Sequence, residues 1–465
     1  MLKITLTAIV IVNYLLQITV CEIRFAFAFW SNGARAPIEG FDENNLDLLG
    51  EKWDNPGELT PSGLRMHYFL GIRNRKLWGN FISSVYDPKE VYVKSTDFNS
   101  TIMSAQAHLQ GLFPVSSGPI LNAIQIERGI PPVTSAVIDD MITKLGDSAL
   151  PNKMQITPVH IFNPTARSNF AFYNPLLCKP LAKILENNKN FNKNINLVKS
   201  INSNWGSLLK QAIKNKDEDW FKDFSNLYIL SDTFISDYVD RRPLKSFTDA
   251  NINLESFLKD AYRLQINYIF YYFNGDESLW FAKLSMAPIF SDLLRWLETR
   301  IKNDIEGIGY TGFAAPKIVL YSTHDTTLGS AQTILADAFK LDKFYSTSFA
   351  SSFIFELSRP DDLDLRTYTL KVTDYTLKIY YNDIIFKTIS YVDFLAAILP
   401  YALTPFEIDN FCKWDEEISD VPTSYIDATI ALSCALFVAI IVIVVLLILL
   451  LKRPKLPHMK YTTSV

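Results

Sequence analysis

The chain has 465 residues, 48% of them apolar, and a formal net charge of -4. That length is enough for a large core and more than one structural lobe. The mildly acidic balance, with no long basic stripe, excludes a nucleic-acid binder.

Lys3 precedes the apolar run Ile4–Val20, and Thr19 and Cys21 are small residues ahead of Glu22. This is the pattern of a signal peptide over residues 1–21, with an uncleaved N-terminal anchor as the alternative. Ile23–Trp30 then alternates large and small apolar residues with no polar relief after Arg24. Such a run suits a strand buried on both faces, in the middle of an α/β sheet. The following loop, Ser31-Asn32-Gly33-Ala34-Arg35-Ala36-Pro37, leaves the carboxyl end of that strand, where open α/β sheets bind ligands. Thr60-Pro61 opens a helix with a hydroxyl cap and a first-turn proline, ending near Gly71. Val91–Val93 is a short strand, and a helix follows from about Thr101 with Ile102, Ala105, Leu109 and Leu112 on one face.

From about 115 to 312 the chain has few clear strands and many helical stretches, which reads as an inserted helical lobe. Asn187–Asn204 suits a loop or a weak surface helix, and Leu293, Trp296, Leu297 and Ile301 form an apolar helical stripe. The sheet resumes with Lys317–Ser322, then the His324-Asp325 loop, then a helix from Thr326 or Thr327. Phe353–Leu357 is a further strand. Tyr368–Thr373 and Thr376–Tyr381 alternate as a strand pair, with Asn382-Asp383 as a turn. The fold class is α/β, a core sheet built from both chain ends (about 22–114 and 313–412) with a mostly helical cap over 115–312.

The second apolar excess is Ala428–Leu451, uncharged and long enough to span a bilayer with some tilt. Lys452, Arg453, Lys455 and Lys460 follow and mark the cytosolic side. The expected topology is single-pass type I: an ectodomain over 22–424, a span over 428–451 and a tail over 452–465. Tyr461 stands in that tail, but Ser464 is not the bulky apolar residue an endocytic signal wants, so the tail reads as ordinary and solvated. Of four cysteines, Cys21 falls in the leader and Cys434 in the span, leaving Cys178 and Cys412 for one disulfide in an oxidising compartment. In the chain-entropy view so long a closed loop is worth roughly 4–5 kcal/mol. With five histidines and no cysteine–histidine cluster of ligand spacing, neither a metal site nor a cofactor is expected.

Ser31–Pro37 and Tyr321-Ser322-Thr323-His324-Asp325 together resemble the two halves of the active site of the histidine acid phosphatases, of the lysosomal or prostatic type. Gly57–Arg65, Val91–Pro114, Pro158-Val159-His160, Phe353–Leu357 and the positions of Cys178 and Cys412 extend the resemblance from about Ile23 to Cys412. It implies a phosphoglycerate-mutase-like core sheet under a helical cap. It also implies a two-step phosphomonoester hydrolysis, in which a motif histidine attacks phosphorus and an aspartate protonates the leaving alcohol. Carried over by position, Arg35 is a retained phosphate-binding arginine and His324 and Asp325 are the retained His-Asp pair. Asn32 stands at the nucleophile, and Ser31 and Ser100 stand where phosphate-binding arginines belong. An amide nitrogen has no lone pair available for attack. Losing a hydrolase nucleophile costs on the order of a millionfold in turnover, and losing one charge-stabilising donor roughly a hundredfold to a thousandfold. Lys94 is the nearest replacement cation. His67, His108 and His160 have the neighbours of packed residues rather than of a substitute nucleophile. Ser100 also creates the sequon Asn99-Ser100-Thr101, whose use the nearby active site argues against.

The expected function is that of a type I membrane pseudophosphatase with a binding role, its ligand an anionic small molecule or a protein. The alternatives are an active acid phosphatase with a non-standard nucleophile, and a structural surface protein. Endolysosomal and cell-surface locations both fit, and the family tendency to dimerise allows a homodimer.

Overall fold

The architecture follows from strand β1 (Cys21–Ser31), whose side chains are buried from Phe25 onward. The computed structural model describes residues 21–412 except 38–52, 134, 163–191, 214–215, 272–275, 311–314, 342–344, 362 and 364–367. Residues 1–20, Cys178, the span expected over 428–451 and the tail lie outside the described residues.

In chain order β1 is followed by α1 (Pro61–Trp78), β2 (Val91–Ser95), α2 (Asn99–Leu112) and β3 (His160–Ile161). The helices α3 (Asn192–Ala212), α4 (Phe224–Val239), α5 (Leu254–Tyr271) and α6 (Asp276–Ile305) come next. The chain returns with β4 (Ile318–Thr323), α7 (Asp325–Phe339), β5 (Ser352–Pro360), β6 (Thr376–Tyr381), β7 (Ile384–Ser390), α8 (Tyr391–Ile398) and α9 (Pro405–Cys412). The strands form one seven-stranded sheet in the order β3-β2-β4-β1-β5-β6-β7. The β3-β2-β4-β1 half is parallel, and β5 to β7 add on antiparallel. This is the α/β sheet flanked by helices that the sequence predicts.

The alternation in β1 sets the two faces. Phe25, Phe27 and Phe29 point into one core, with α6, α7 and α8. Ala26, Ala28 and Trp30 point into the other, where Trp78 of α1 and Ala105, Leu109 and Leu112 of α2 pack. The small alanines match helices that lie close together and close to the sheet. Where α1 and α2 cross, a Cβ on Gly71 would come 2.0 Å from the His108 carbonyl, and one on Gly111 would come 2.1 Å from the Tyr68 carbonyl. Gly71 is therefore an interior contact glycine, and α1 runs on to Trp78 rather than stopping near Gly71.

Two other expectations change. The strand pairing of β6 runs forward, to β7 across the Asn382-Asp383 turn, where Asn382 adopts a φ of 53°. Tyr368–Thr373 forms no strand. A turn placed directly after β6 leaves its partner downstream. The apolar stripe of Leu293, Trp296, Leu297 and Ile301 lies in α6, which packs on the sheet rather than in a separate lobe. A distinct helical core does exist, with α3, α4 and α5 enclosing Ile201, Leu209, Leu227, Phe234, Phe257 and Leu264. Asn192–Ala212 belongs to it as a long helix, not a loop, because Leu197, Val198, Ile201 and Leu209 give it a buried stripe.

Among the described residues, Tyr391–Cys412 alone is long and apolar enough to cross a membrane by length and composition, at a mean hydropathy of 1.2. Tyr391, Phe394, Ile398 and Tyr401 are buried in the sheet's core, and a short 3-10 turn over Leu399–Tyr401 breaks the run between α8 and α9. That is the packing of a core element.

Candidate active site

Three loops leave the carboxyl ends of three adjacent parallel strands. β1 and β4 pair through Trp30 with Ser322 and Ser31 with Thr323, and β2 joins β4 through Ser95 with Ser322. Asn32, Thr96 and His324 are the next residue of each. The ends are tied together. Trp30 Nε1 donates to Ser322 Oγ (3.0 Å), Ser322 Oγ donates to the Thr101 carbonyl (2.7 Å), and Thr323 Oγ1 donates to the Trp30 carbonyl (2.9 Å).

The Ser31–Pro37 loop is held from two sides. Residues 34–36 zip against 58–60, with Ala36 N donating to the Glu58 carbonyl (2.8 Å) and Thr60 N to the Ala34 carbonyl (2.9 Å). Thr60 also caps α1, accepting from Gly63 N at 3.1 Å. The helix start sits so close that a Cβ on Gly33 would lie 2.4 Å from the Gly63 carbonyl, and one on Gly63 would lie 2.1 Å from the Ala34 carbonyl. On the other side Gly33 N donates to Ser104 Oγ of α2 (3.1 Å). The Gly57–Leu64 motif is thus the clamp for this loop.

Within that frame, Ser31 is buried and its Oγ donates to the Ser348 carbonyl (3.0 Å). Asn32 is also buried, and its Nδ2 donates to the carbonyl of Gly33 (3.0 Å). Ser100 is buried in the first turn of α2, with its carbonyl accepting from Ser104 Oγ at 2.6 Å. His324 precedes α7, and its Nε2 lies 3.0 Å from Thr96 Oγ1, with Phe98 edge-on to the ring at 5.0 Å. Burial first, then the positive charge of Arg35, pushes His324 down to about 3, so the ring is neutral at physiological and lysosomal pH. Burial raises the Asp325 carboxyl, Arg35 opposes this and Asp232 adds to it. A carboxyl biased toward its protonated form is what a general acid needs.

Arg35 is buried and its fork is engaged. Its Nη1 and Nη2 donate to Asp232 Oδ2 (3.1 Å) and Oδ1 (3.0 Å), and Nη1 also donates to the Ala36 carbonyl (2.9 Å). Burial alone would lower the guanidinium pKa, but Asp232 outweighs it and holds Arg35 above its ordinary value, with a further contribution from Asp325. Asp232 lies on α4 in the helical region and is absent from any motif read in the sequence. Its only local signal is an acidic residue among the apolar residues of a buried helix face, Leu227, Leu230 and Phe234.

The other candidates fall elsewhere. Lys94 lies over the Phe162 ring (3.9 Å) and 3.8 Å from Asp292, on the α6 side of the sheet. His67 is fully buried, with Nε2 bound to the Ser31 carbonyl (3.1 Å), and burial pushes it down to about 3. His108 stacks on Trp30 at 4.2 Å and bonds Asn74. His160 stacks on Tyr92 at 4.9 Å, in strand β3. His67 and His108 are packing residues, whereas His160 is exposed on β3. Asn99, by contrast, is exposed at the start of α2, and its amide donates to the Glu58 carboxylate. Asn99 is thus exposed while Ser100 and Thr101 beside it are buried.

Residues 25–382 match the family described as histidine phosphatase superfamily (branch 2). The chain belongs to that superfamily. The lysosomal acid phosphatase of Xenopus laevis is 24% identical over 342 residues, covering 73% of this chain and 67% of that protein. The prostatic acid phosphatase of Mus musculus is 31% identical over 152 residues, covering 31% of this chain and 39% of that protein. The phytase of Citrobacter braakii superposes with a TM-score of 0.49 at 14% identity, covering 77% of this chain and 85% of that one. The Ser31–Pro37 and His324-Asp325 loops lie side by side at the carboxyl ends of β1 and β4.

Proposed function

We propose that this protein is a type I membrane pseudophosphatase: a histidine acid phosphatase scaffold without phosphohistidine chemistry, retained for binding. The observation that carries this reading is Asn32. It lies buried at the end of the central strand, where the resemblance puts the attacking imidazole, and its amide nitrogen is spent on the Gly33 carbonyl. Neither amide atom can accept and release a phosphoryl group. The packed environments of His67 and His108 support the same reading, since both rings are fully buried and bonded to their neighbours.

The test is hydrolysis of an aryl phosphate by the full-length chain in detergent, across pH 4–7. Turnover should not exceed that of the Asp325→Ala variant. Turnover above background that Asp325→Ala removes would establish the second reading, an acid phosphatase with an unconventional nucleophile.

The binding role fits a protein partner better than a small anion, because Asp232 and Asp325 both flank the one retained arginine. Residues 115–156 offer a surface for it: Val115, Ile120, Ile124, Val133, Val137 and Ile156 are all exposed. A second copy of the chain is one such partner, consistent with a homodimer. The leader over 1–21, the span over 428–451 and the Cys178–Cys412 disulfide complete the proposal, and with the lysosomal relatives they favour an endolysosomal ectodomain. We further propose that Asn99 carries a glycan, since the substitution that puts serine at an arginine position also makes the sequon and the asparagine is exposed. Peptide N-glycosidase should lower the mass of the chain purified from a eukaryotic host, and Asn99→Gln should abolish that shift. An unchanged mass would refute the assignment.

A further inference from the structure

The clasp on Arg35 goes beyond the absence of a nucleophile, although it rests on the reading of this loop as a superfamily active-site loop. A guanidinium fork binds phosphate through two parallel N–H donors. Here both Nη atoms already hold the two oxygens of one carboxylate, Asp232, in that bidentate form. The pair is deeply buried, with side-chain exposures of 4% and 8%. The contact joins loop and cap across 197 sequence positions. Gln265 on α5 adds a donor to Asp232 Oδ1 at 3.4 Å, and the Phe349 ring lies 5.7 Å from the guanidinium carbon.

We infer that Asp232 is a built-in counter-anion, which occupies the one retained phosphate-binding arginine and makes the site reject phosphate. An incoming phosphate oxygen would have to break two charge-assisted bonds and leave a carboxylate buried without its partner, a costly exchange. It would also meet the negative field of Asp232 and Asp325 together. The clasp fixes the cap helix α4 to the core loop through the very group that would otherwise bind ligand.

The experiment follows inorganic phosphate binding to the full-length chain in detergent by calorimetry, with thermal unfolding as a second readout. The natural protein should show no binding over the millimolar range. Asp232→Asn, nearly isosteric and still offering Oδ1 as an acceptor, should bind phosphate at least about tenfold more tightly, the scale of one charge-assisted hydrogen bond. Arg35→Ala combined with Asp232→Asn should lose that gain. An Asp232→Asn protein that binds no better than the natural one overturns the inference, as does a gain that survives Arg35→Ala. A readout that needs no variant is modification of the natural chain by phenylglyoxal, with Arg35 identified by peptide mapping. Buried and clasped, Arg35 should stay unmodified with or without phosphate, while modification that phosphate suppresses would overturn the inference even if Asp232→Asn fails to fold. Aryl phosphate turnover by the natural chain would instead defeat the proposed function, so the two failures are separable.

Discussion

Ser31→Arg, Asn32→His and Ser100→Arg introduced together should give measurable turnover to a chain that the proposed function makes inactive toward aryl phosphates. The backbone that would carry the new groups is already built. Asn32 is the first residue beyond the Ser31–Thr323 pair of β1 and β4, one step from the His324 loop, and the Gly33–Gly63 contact fixes the turn that follows. Asp325, which the resemblance makes the general acid, has its carboxyl raised by burial, the direction that role needs. Supplying a nucleophile recovers a factor on the order of a millionfold in a hydrolase, and each phosphate-binding donor roughly a hundredfold to a thousandfold. Ser31→Arg has its own cost, since the serine hydroxyl now bonds the Ser348 carbonyl. A net rise of at least about a thousandfold over the natural chain is therefore expected. Adding Asp232→Asn to the three should raise turnover further, because it releases Arg35. Rapid quench should trap an acid-labile phosphoenzyme that disappears when position 32 returns to asparagine. A folded triple variant with neither turnover nor phosphoenzyme would refute the placement of these residues in the site.

The second large effect concerns acid. His67 is fully buried against the Ser31 carbonyl and is pushed from 6.5 down to about 3 by loss of solvation. His108 beside it is lowered well below the ordinary range by the same cause, with His67 and Arg73 adding to it. The unfolded chain takes up these protons before the folded one does. The stability they contribute is therefore complete above about pH 6.5 and falls as pH drops toward 3. At pH 5, His67 alone should cost about 2 kcal/mol. Urea unfolding of the full-length chain at pH 7 and pH 5 measures the loss. His67→Gln places an amide donor where Nε2 meets the Ser31 carbonyl and cannot titrate, so its loss between the two pH values should be smaller by about that amount. An equal loss in both proteins would mean that His67 is not buried neutral. If the ectodomain works in an acidic lumen, it does so with this stability given up, unless the expected disulfide compensates.

Much of the scaffold is legible in the sequence, for local reasons. Ile23–Trp30 reads as a doubly buried strand because from Phe25 on each side chain answers to one of two cores, and the structure puts phenylalanines in one and alanines with Trp30 in the other. Thr60-Pro61 marks a helix start because capping is local chemistry, complete within three residues. The residues at 31, 32 and 100 stand out without coordinates, because they depart from the motifs of the family that the sequence resembles.

What the sequence could not supply depends on residues far apart in the chain. That Gly71 is a contact residue inside α1, which ends at the Gly79 cap, depends on Gly111 of another helix, since two facing glycines let the backbones touch. The stripe on α6 is apolar whichever core it enters, and only the tertiary packing places it on the sheet. Asn99 and Ser100 are neighbours in sequence, yet one is exposed and the other buried, a distinction made by how the first turn of α2 sits on the core. Asp232 is the sharpest case. Nothing in its own segment pairs it with Arg35, and a contact between a loop and a helix 197 positions away has no period or spacing to betray it. The sequence by itself determined that asparagine stands at position 32 where the family it resembles has a histidine, because residue type needs no coordinates. Only the tertiary structure decided that the remaining arginine is already occupied, because an ion pair is a fact of distance and burial.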